Sequence, residues 1–125
     1  MEAQEMLGYK NWIVAGDVTN TEKYAFRILH SLKDAGFNVF GVNPRSSSPE
    51  VYKSIKDVPC KVDVIDLCIN PIAGLQIIKE AAELKIDKVL IQPGAESLDI
   101  FDYCRKNQMI FIEGCALVEL SYYKR

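Results

Sequence analysis

Five short segments of this chain carry residue types that could hold a phosphorylated ligand. They are Gly16 to Asn20 with Lys23 just beyond, Asn43-Pro44-Arg45, Asn70-Pro71, Gln92-Pro93-Gly94 and Glu113-Gly114-Cys115. Each directly follows a short apolar run. A strand that ends in glycine, then small polar residues, then a helical pattern can set backbone N–H groups around a phosphate. In the first turn, Gly16, Val18, Thr19 and Asn20 are the candidates. Lys23 and Arg45 are the cations placed to meet phosphates, against the competing reading of solubilising surface charges. Pro44 and Pro71 have no N–H to offer a phosphate, but each could form a rigid wall beside a base or ribose. Asn43 and Asn70 could then supply a donor and an acceptor. Tight turns need these same residue types without any ligand, and helix capping is an equal explanation for Asn70.

The spacing of the first turn departs from the dinucleotide fingerprint. Asp17 and Val18 stand where the second glycine would let a pyrophosphate approach. Asp17 would repel a close phosphate, so it is expected to point away or stay solvated. The acid that reads a ribose 2′-OH in an NAD site is also missing: Asn43 occupies that position, with Arg45 behind it. This pattern weakens NAD and favours a ligand with an additional phosphate, either NADP or a 3′-phosphorylated nucleotide.

No catalytic set assembles around these turns. The one histidine, His30, falls mid-helix, and no Ser-His-Asp order can be built on it. Asp66 lies within an apolar strand, where a structural hydrogen bond is its expected fate. Cys60, Cys68, Cys104 and Cys115 form no C-x-x-C pair and have no histidine beside them, so zinc-site spacing is absent. Cys115, just past a strand end, is the one thiol that could lie near a ligand, against the commoner fate of a buried inert cysteine.

The elements that must position these turns alternate along the chain. Trp12–Ala15 reads as a strand ending at Gly16, and Thr21–Ala35 as a helix. Thr21 is its expected N-cap and Gly36 its C-terminal stop. Phe37–Val42 is a second strand, Arg45–Glu50 a loop, and Lys53–Val58 one helical turn. Asp63–Ile69 is a third strand and residues 72–84 a helix. Asp87–Ile91, the helix Ser97–Lys106, the strand Met109–Ile112 and a tail or short cap from Glu119 complete the series. Five apolar strands with helical crossovers predict one three-layer, doubly wound, Rossmann-like α/β domain with a mainly parallel sheet.

Composition agrees with a single domain spanning residues 1–125, with its core at about 11–120. About half the residues, 49%, are hydrophobic and 26% are charged, an ordinary globular profile. The net charge of −2 argues against general binding to nucleic acid or an anionic membrane. No apolar run approaches the roughly 20 residues that span a bilayer, and the acidic N-terminus lacks a signal-peptide core. A cytoplasmic location is therefore expected. Exposed sheet edges in such a fold leave a homodimer open.

The ordered turns resemble the stand-alone CoA-binding domain proteins, which are similar to the N-terminal domain of the succinyl-CoA synthetase alpha subunit. The matching segments are Gly16–Asn20, Lys23, Ala35-Gly36-Phe37, Val42-Asn43-Pro44, Tyr52–Pro59, Val62-Asp63-Val64 and Asn70-Pro71. The match continues through Ile91–Gly94 and Ile112–Cys115. The resemblance implies non-catalytic binding of CoA or an acyl-CoA across the strand ends. The first turn and Lys23 would take phosphate, Asn43 and Pro44 would border adenosine, and Arg45 would meet a 3′-phosphate. Asn70-Pro71 and Gln92 to Gly94 would line the rest. The chain departs from the family pattern at Asp17-Val18, at Ala25-Phe26 and at Glu113. Two alternatives remain: an NADP-binding redox enzyme or sensor, and an interaction module of the same fold without a ligand.

Overall fold

The computed structural model describes residues 1–123. Five strands, β1 (Asn11–Gly16), β2 (Asn38–Val42), β3 (Val64–Cys68), β4 (Lys88–Ile91) and β5 (Ile110–Glu113), form one sheet in the order β2-β1-β3-β4-β5. Every pairing is parallel. From β1 the chain passes first to β2 on one side, then to β3 on the other. The strand order therefore reverses between β1 and β3, and their carboxyl ends diverge into a crevice. The Rossmann-like architecture is as predicted, with a sheet that is wholly parallel.

Alternating side chains divide the core into two layers. Ile13, Ile65, Leu67, Val89 and Ile91 face α3 (Pro71–Glu83) and α4 (Leu98–Lys106). Trp12, Val14, Val64 and Leu90 face α1 (Ala3–Met6), α2 (Tyr24–Asp34) and α5 (Ala116–Ser121). Burial on both faces is why these strands read as continuous apolar runs rather than alternating ones.

The helices differ from expectation at their starts. α2 begins at Tyr24, so Thr21 is not its N-cap. Residues before it form a turn in which Asn20 accepts from Glu22 N–H at 3.0 Å through its side chain and from Lys23 N–H at 3.0 Å through its carbonyl. This local bonding competes with helix and delays it. Gly36, at φ +94°, ends the helix as anticipated, with Phe37 N–H reaching back to Leu32 O at 3.0 Å. The 53–58 turn tightens to a 3₁₀ segment, Ile55–Asp57, whose start is held by Ser54 and Ile55 N–H donating to the Glu80 carboxylate. α1 and α5 were not anticipated, being too short for periodicity to register. In the segment expected as a tail or short cap, Tyr123 packs on Phe37 with ring centroids 5.2 Å apart; Lys124 and Arg125 lie outside the described residues.

Candidate functional site

The crevice between β1 and β3 opens into a cleft of about 840 Å³. That lies within the range of small-molecule and cofactor sites. Its walls come from four elements: the turn after β1, the first turn of α2, the loop after β2, and the end of β3 running into α3. Asp17, Thr19, Lys23, Tyr24 and Ala25 form one side. Asn43, Pro44, Arg45 and Ser46 to Ser48 form the second, and Cys68, Ile69, Asn70 and Ala73 the third.

Six of the candidates thus come together at the cleft: Thr19, Lys23, Asn43, Pro44, Arg45 and Asn70. Gly16 has a packing role beneath it. A Cβ at Gly16 would collide with the Cys68 carbonyl and press on Ala25 Cβ at 3.0 Å, so only glycine lets β1, β3 and α2 close up there. Val18 turns its side chain into the core against Gly41, and its N–H is bound to Gly16 O at 3.0 Å. Asn20 is engaged in the turn before α2, and Pro71 sits at the first position of α3.

Gln92 and Gly94 lie away from the lining. Gln92 is buried, and its Oε1 accepts from Ala116 N–H at 2.7 Å, so it fixes the start of α5. Gly94, at φ +95°, donates its N–H to Glu96 Oε2 at 2.6 Å in the turn before α4.

Both cleft asparagines commit their side-chain oxygens to the backbone. Asn43 Oδ1 accepts from Arg45 N–H at 3.1 Å, and Asn70 Oδ1 caps α3 through Ala73 N–H at 3.0 Å. Capping and site lining therefore coexist at Asn70. Each amide is left with its NH₂ donors, which suits ligand acceptors such as phosphate or carbonyl oxygens rather than a two-way base edge. The serine-rich loop is ordered in the same way: Ser46 Oγ accepts from Ser48 N–H at 3.1 Å, and Ser48 Oγ from Glu50 N–H at 3.3 Å. Ser46, Ser47 and Ser48 line the cleft together with Arg45.

At the wall formed by the turn after β1, α2 starts without a side-chain cap and with no acid in its first turn. Its leading N–H groups and the Lys23 ammonium give this wall a positive field. Asp17 opposes that field from within the cleft wall. It is partly exposed there, in keeping with the expectation that it stays solvated, and its Oδ1 accepts from Thr19 Oγ at 3.5 Å.

The cysteine nearest the cleft is Cys68, not Cys115, which instead stands at the position before α5. Burial, Asp66 and Cys115 push the Cys68 thiol up to about 12, so it stays protonated and unreactive at neutral pH. Asp66 itself is fully buried, and neither carboxylate oxygen has a hydrogen-bond partner among the described residues. The expected structural hydrogen bond is therefore not made. Burial disfavours the charged form and drives this carboxyl well above the usual range.

Sequence reading missed Tyr24, Ser46 to Ser48, Cys68 and Ala73 as lining residues. The serines and Tyr24 adjoin residues it had singled out, so proximity to Arg45 and Lys23 was the available signal. Cys68 could be found only once β3 was paired in register with β1, which puts it opposite Gly16.

Comparison with known proteins bears on this cleft. The family model described as a CoA binding domain matches residues 10–121. A conserved hypothetical protein from Pyrococcus furiosus is 36% identical, with 89% of this chain and 99% of that one aligned at a TM-score of 0.81. A Thermus thermophilus structure aligns over 98% of both chains at 22% identity and a TM-score of 0.82. The dinucleotide-forming acetyl-coenzyme A synthetase 1 of Ca. Korarchaeum cryptofilum, in complex with phosphate and ADP, is similar over 93% of this chain. That alignment spans 28% of the synthetase at 22% identity and a TM-score of 0.68. The last two show the shared fold. A search of curated protein sequences returns no match.

Proposed function

Because this chain belongs to the CoA-binding domain family, we propose that its cleft holds CoA, or an acyl-CoA, without catalysing a reaction on it. The observation that carries this reading is the presence of a cation on each of two walls of the cleft. Lys23 stands with the start of α2, which has no side-chain cap, and Arg45 shares the loop after β2 with Ser46, Ser47 and Ser48. CoA presents a pyrophosphate and a separate 3′-phosphate, two anionic groups that need two cationic walls. Arg45, with the serines, suits the 3′-phosphate. Lys23 and the α2 N-terminus suit the pyrophosphate. Pro44 and the exposed ring of Tyr24 offer apolar faces for the adenine.

The lining contains no histidine, and its one thiol is held protonated. No imidazole therefore stands beside the lining serines to activate a hydroxyl, and no thiolate is available, which supports a holding role. The donor-rich character of Asn43 and Asn70 agrees with a ligand made largely of acceptors.

Isothermal titration of the purified protein with CoA, dephospho-CoA and NADP tests the reading. CoA is expected to bind more tightly than dephospho-CoA, and Arg45→Ala to erase most of that difference. Loss of one charge-assisted phosphate contact corresponds to roughly tenfold in affinity. Lys23→Ala should weaken both CoA forms alike. Tighter binding of NADP than of CoA, or no binding at millimolar CoA, would overturn the assignment.

A further inference from the structure

We propose that the β5 edge of the sheet is a self-association surface, through which two copies of this chain join their sheets antiparallel across a two-fold axis.

The fold treats its two sheet edges differently. Beside β2, Tyr52 forms a parallel bridge with Val42. Its N–H donates to Gly41 O at 3.0 Å, and its carbonyl accepts from Asn43 N–H at 2.8 Å. The carboxyl-terminal end of that edge is thereby covered by the chain's own loop. Beside β5, no strand pairs on the outer side among the described residues. Ile110 and Gly114 donate inward to Asp87 O at 2.7 Å and Ile91 O at 3.0 Å. Alternation along the ladder then turns the N–H and C=O of Phe111 and Glu113 outward. Ile110, Phe111 and Ile112 also stay partly exposed, whereas β1, β3 and β4 are buried nearly throughout. An open edge with apolar side chains on both faces is a template for pairing.

The charges beside this edge select a second copy as the occupant. Arg105 of α4 lies over the Phe111 ring, 5.4 Å from its centroid, and Glu113 is exposed two residues along the same face. A two-fold axis through Ile112, normal to the sheet, sets Phe111 opposite the partner's Glu113. The partner's Glu113 then lies next to Arg105, and the same pair recurs across the axis. In this register the outward groups of Phe111 and Glu113 meet as hydrogen-bonded pairs, and the two Ile112 side chains touch on the other face. An isologous interface requires this kind of self-complementarity. Arg105 has a weak local partner in Asp102 at 3.6 Å, with both side chains more than half exposed, and that pair does not hold it back.

Sedimentation velocity across a concentration series tests the inference. Wild-type protein is expected to show a reversible monomer–dimer equilibrium. Glu113→Arg and Arg105→Glu should each weaken dimerisation at least about tenfold, since each sets like charges opposite one another. The double variant should regain most of the loss. Both side chains are exposed, and circular dichroism of each variant is to check that it is folded. Glu113→Pro, which deletes an outward N–H and leaves the β4 ladder intact, should also weaken the dimer. A wild-type protein that stays monomeric at its highest soluble concentration overturns the proposal. Self-association indifferent to all three single variants overturns it too, and a double variant that fails to recover overturns the register.

Discussion

Asp66 shows what one residue does against its surroundings. It sits in register between Val14 on β1 and Leu90 on β4, in the layer that packs under α1, α2 and α5. A strand there calls for an apolar side chain, and a carboxyl without partners survives only by keeping its proton. The folded protein thus retains a proton that the unfolded chain releases above its ordinary value near 3.8. Stability is highest below that value and declines as pH rises toward the folded value. Asp66→Asn removes this titration. In urea unfolding from about pH 5 to about pH 9, the wild type should lose ground to the variant by up to about 1.4 kcal/mol per pH unit. Parallel pH curves for the two proteins would show that Asp66 is not the group responsible.

The turn after β1 illustrates the same logic for an element. Its shape is set by packing on both sides. Gly16 admits the Cys68 carbonyl, and Val18 folds over Gly41 so closely that a Cβ there would lie 2.6 Å from Val18 Cγ2. Once this turn is seated, Thr19, Lys23 and the start of α2 are held at the cleft. Gly41→Ala should therefore destabilise by about 1–3 kcal/mol through overpacking, and Val18→Ala by about 1–3 kcal/mol through a lost core contact. The two changes share one contact, so the double variant should cost clearly less than their sum. Additive denaturation energies would contradict the close approach. The sequence shows a glycine-ended strand and a polar turn here. It could not show that Val18 faces inward, because in a turn neither the period of 2 nor that of 3.6 assigns a face.

Across the whole molecule, one parallel sheet puts every ligand-facing turn at the same end, and β1–β3 divergence picks out which of them share a cleft. Ligand binding at that crevice links three strand ends and two helices, so it should stabilise the fold as a unit. CoA at about a hundredfold excess over its Kd should add about 2.7 kcal/mol. For a domain of this size that is on the order of 10 °C in Tm, with a smaller shift for dephospho-CoA at equal concentration. A Tm unmoved by CoA over that range would contradict the binding reading. Of the five turns singled out by residue type, those after β1, β2 and β3 meet at the cleft. Gln92 and Gly94, after β4, serve α5 and the turn before α4, because β4 lies on the far side of β3 from the switch point.

By itself the sequence determined the alternation of strands and helices, the two-sided burial of the sheet and the position of every turn that ends a strand. These follow from local periodicity, from glycine and proline, and from side-chain capping chemistry, all of which act over a few residues. Which turns meet was decided only by tertiary structure, since strand order depends on pairings between residues far apart in the chain. The same pairings brought Cys68 to the cleft and turned Gln92 inward to hold α5. They also left Asp66 without a partner among the described residues, covered the end of the β2 edge with Tyr52 and left the β5 edge open.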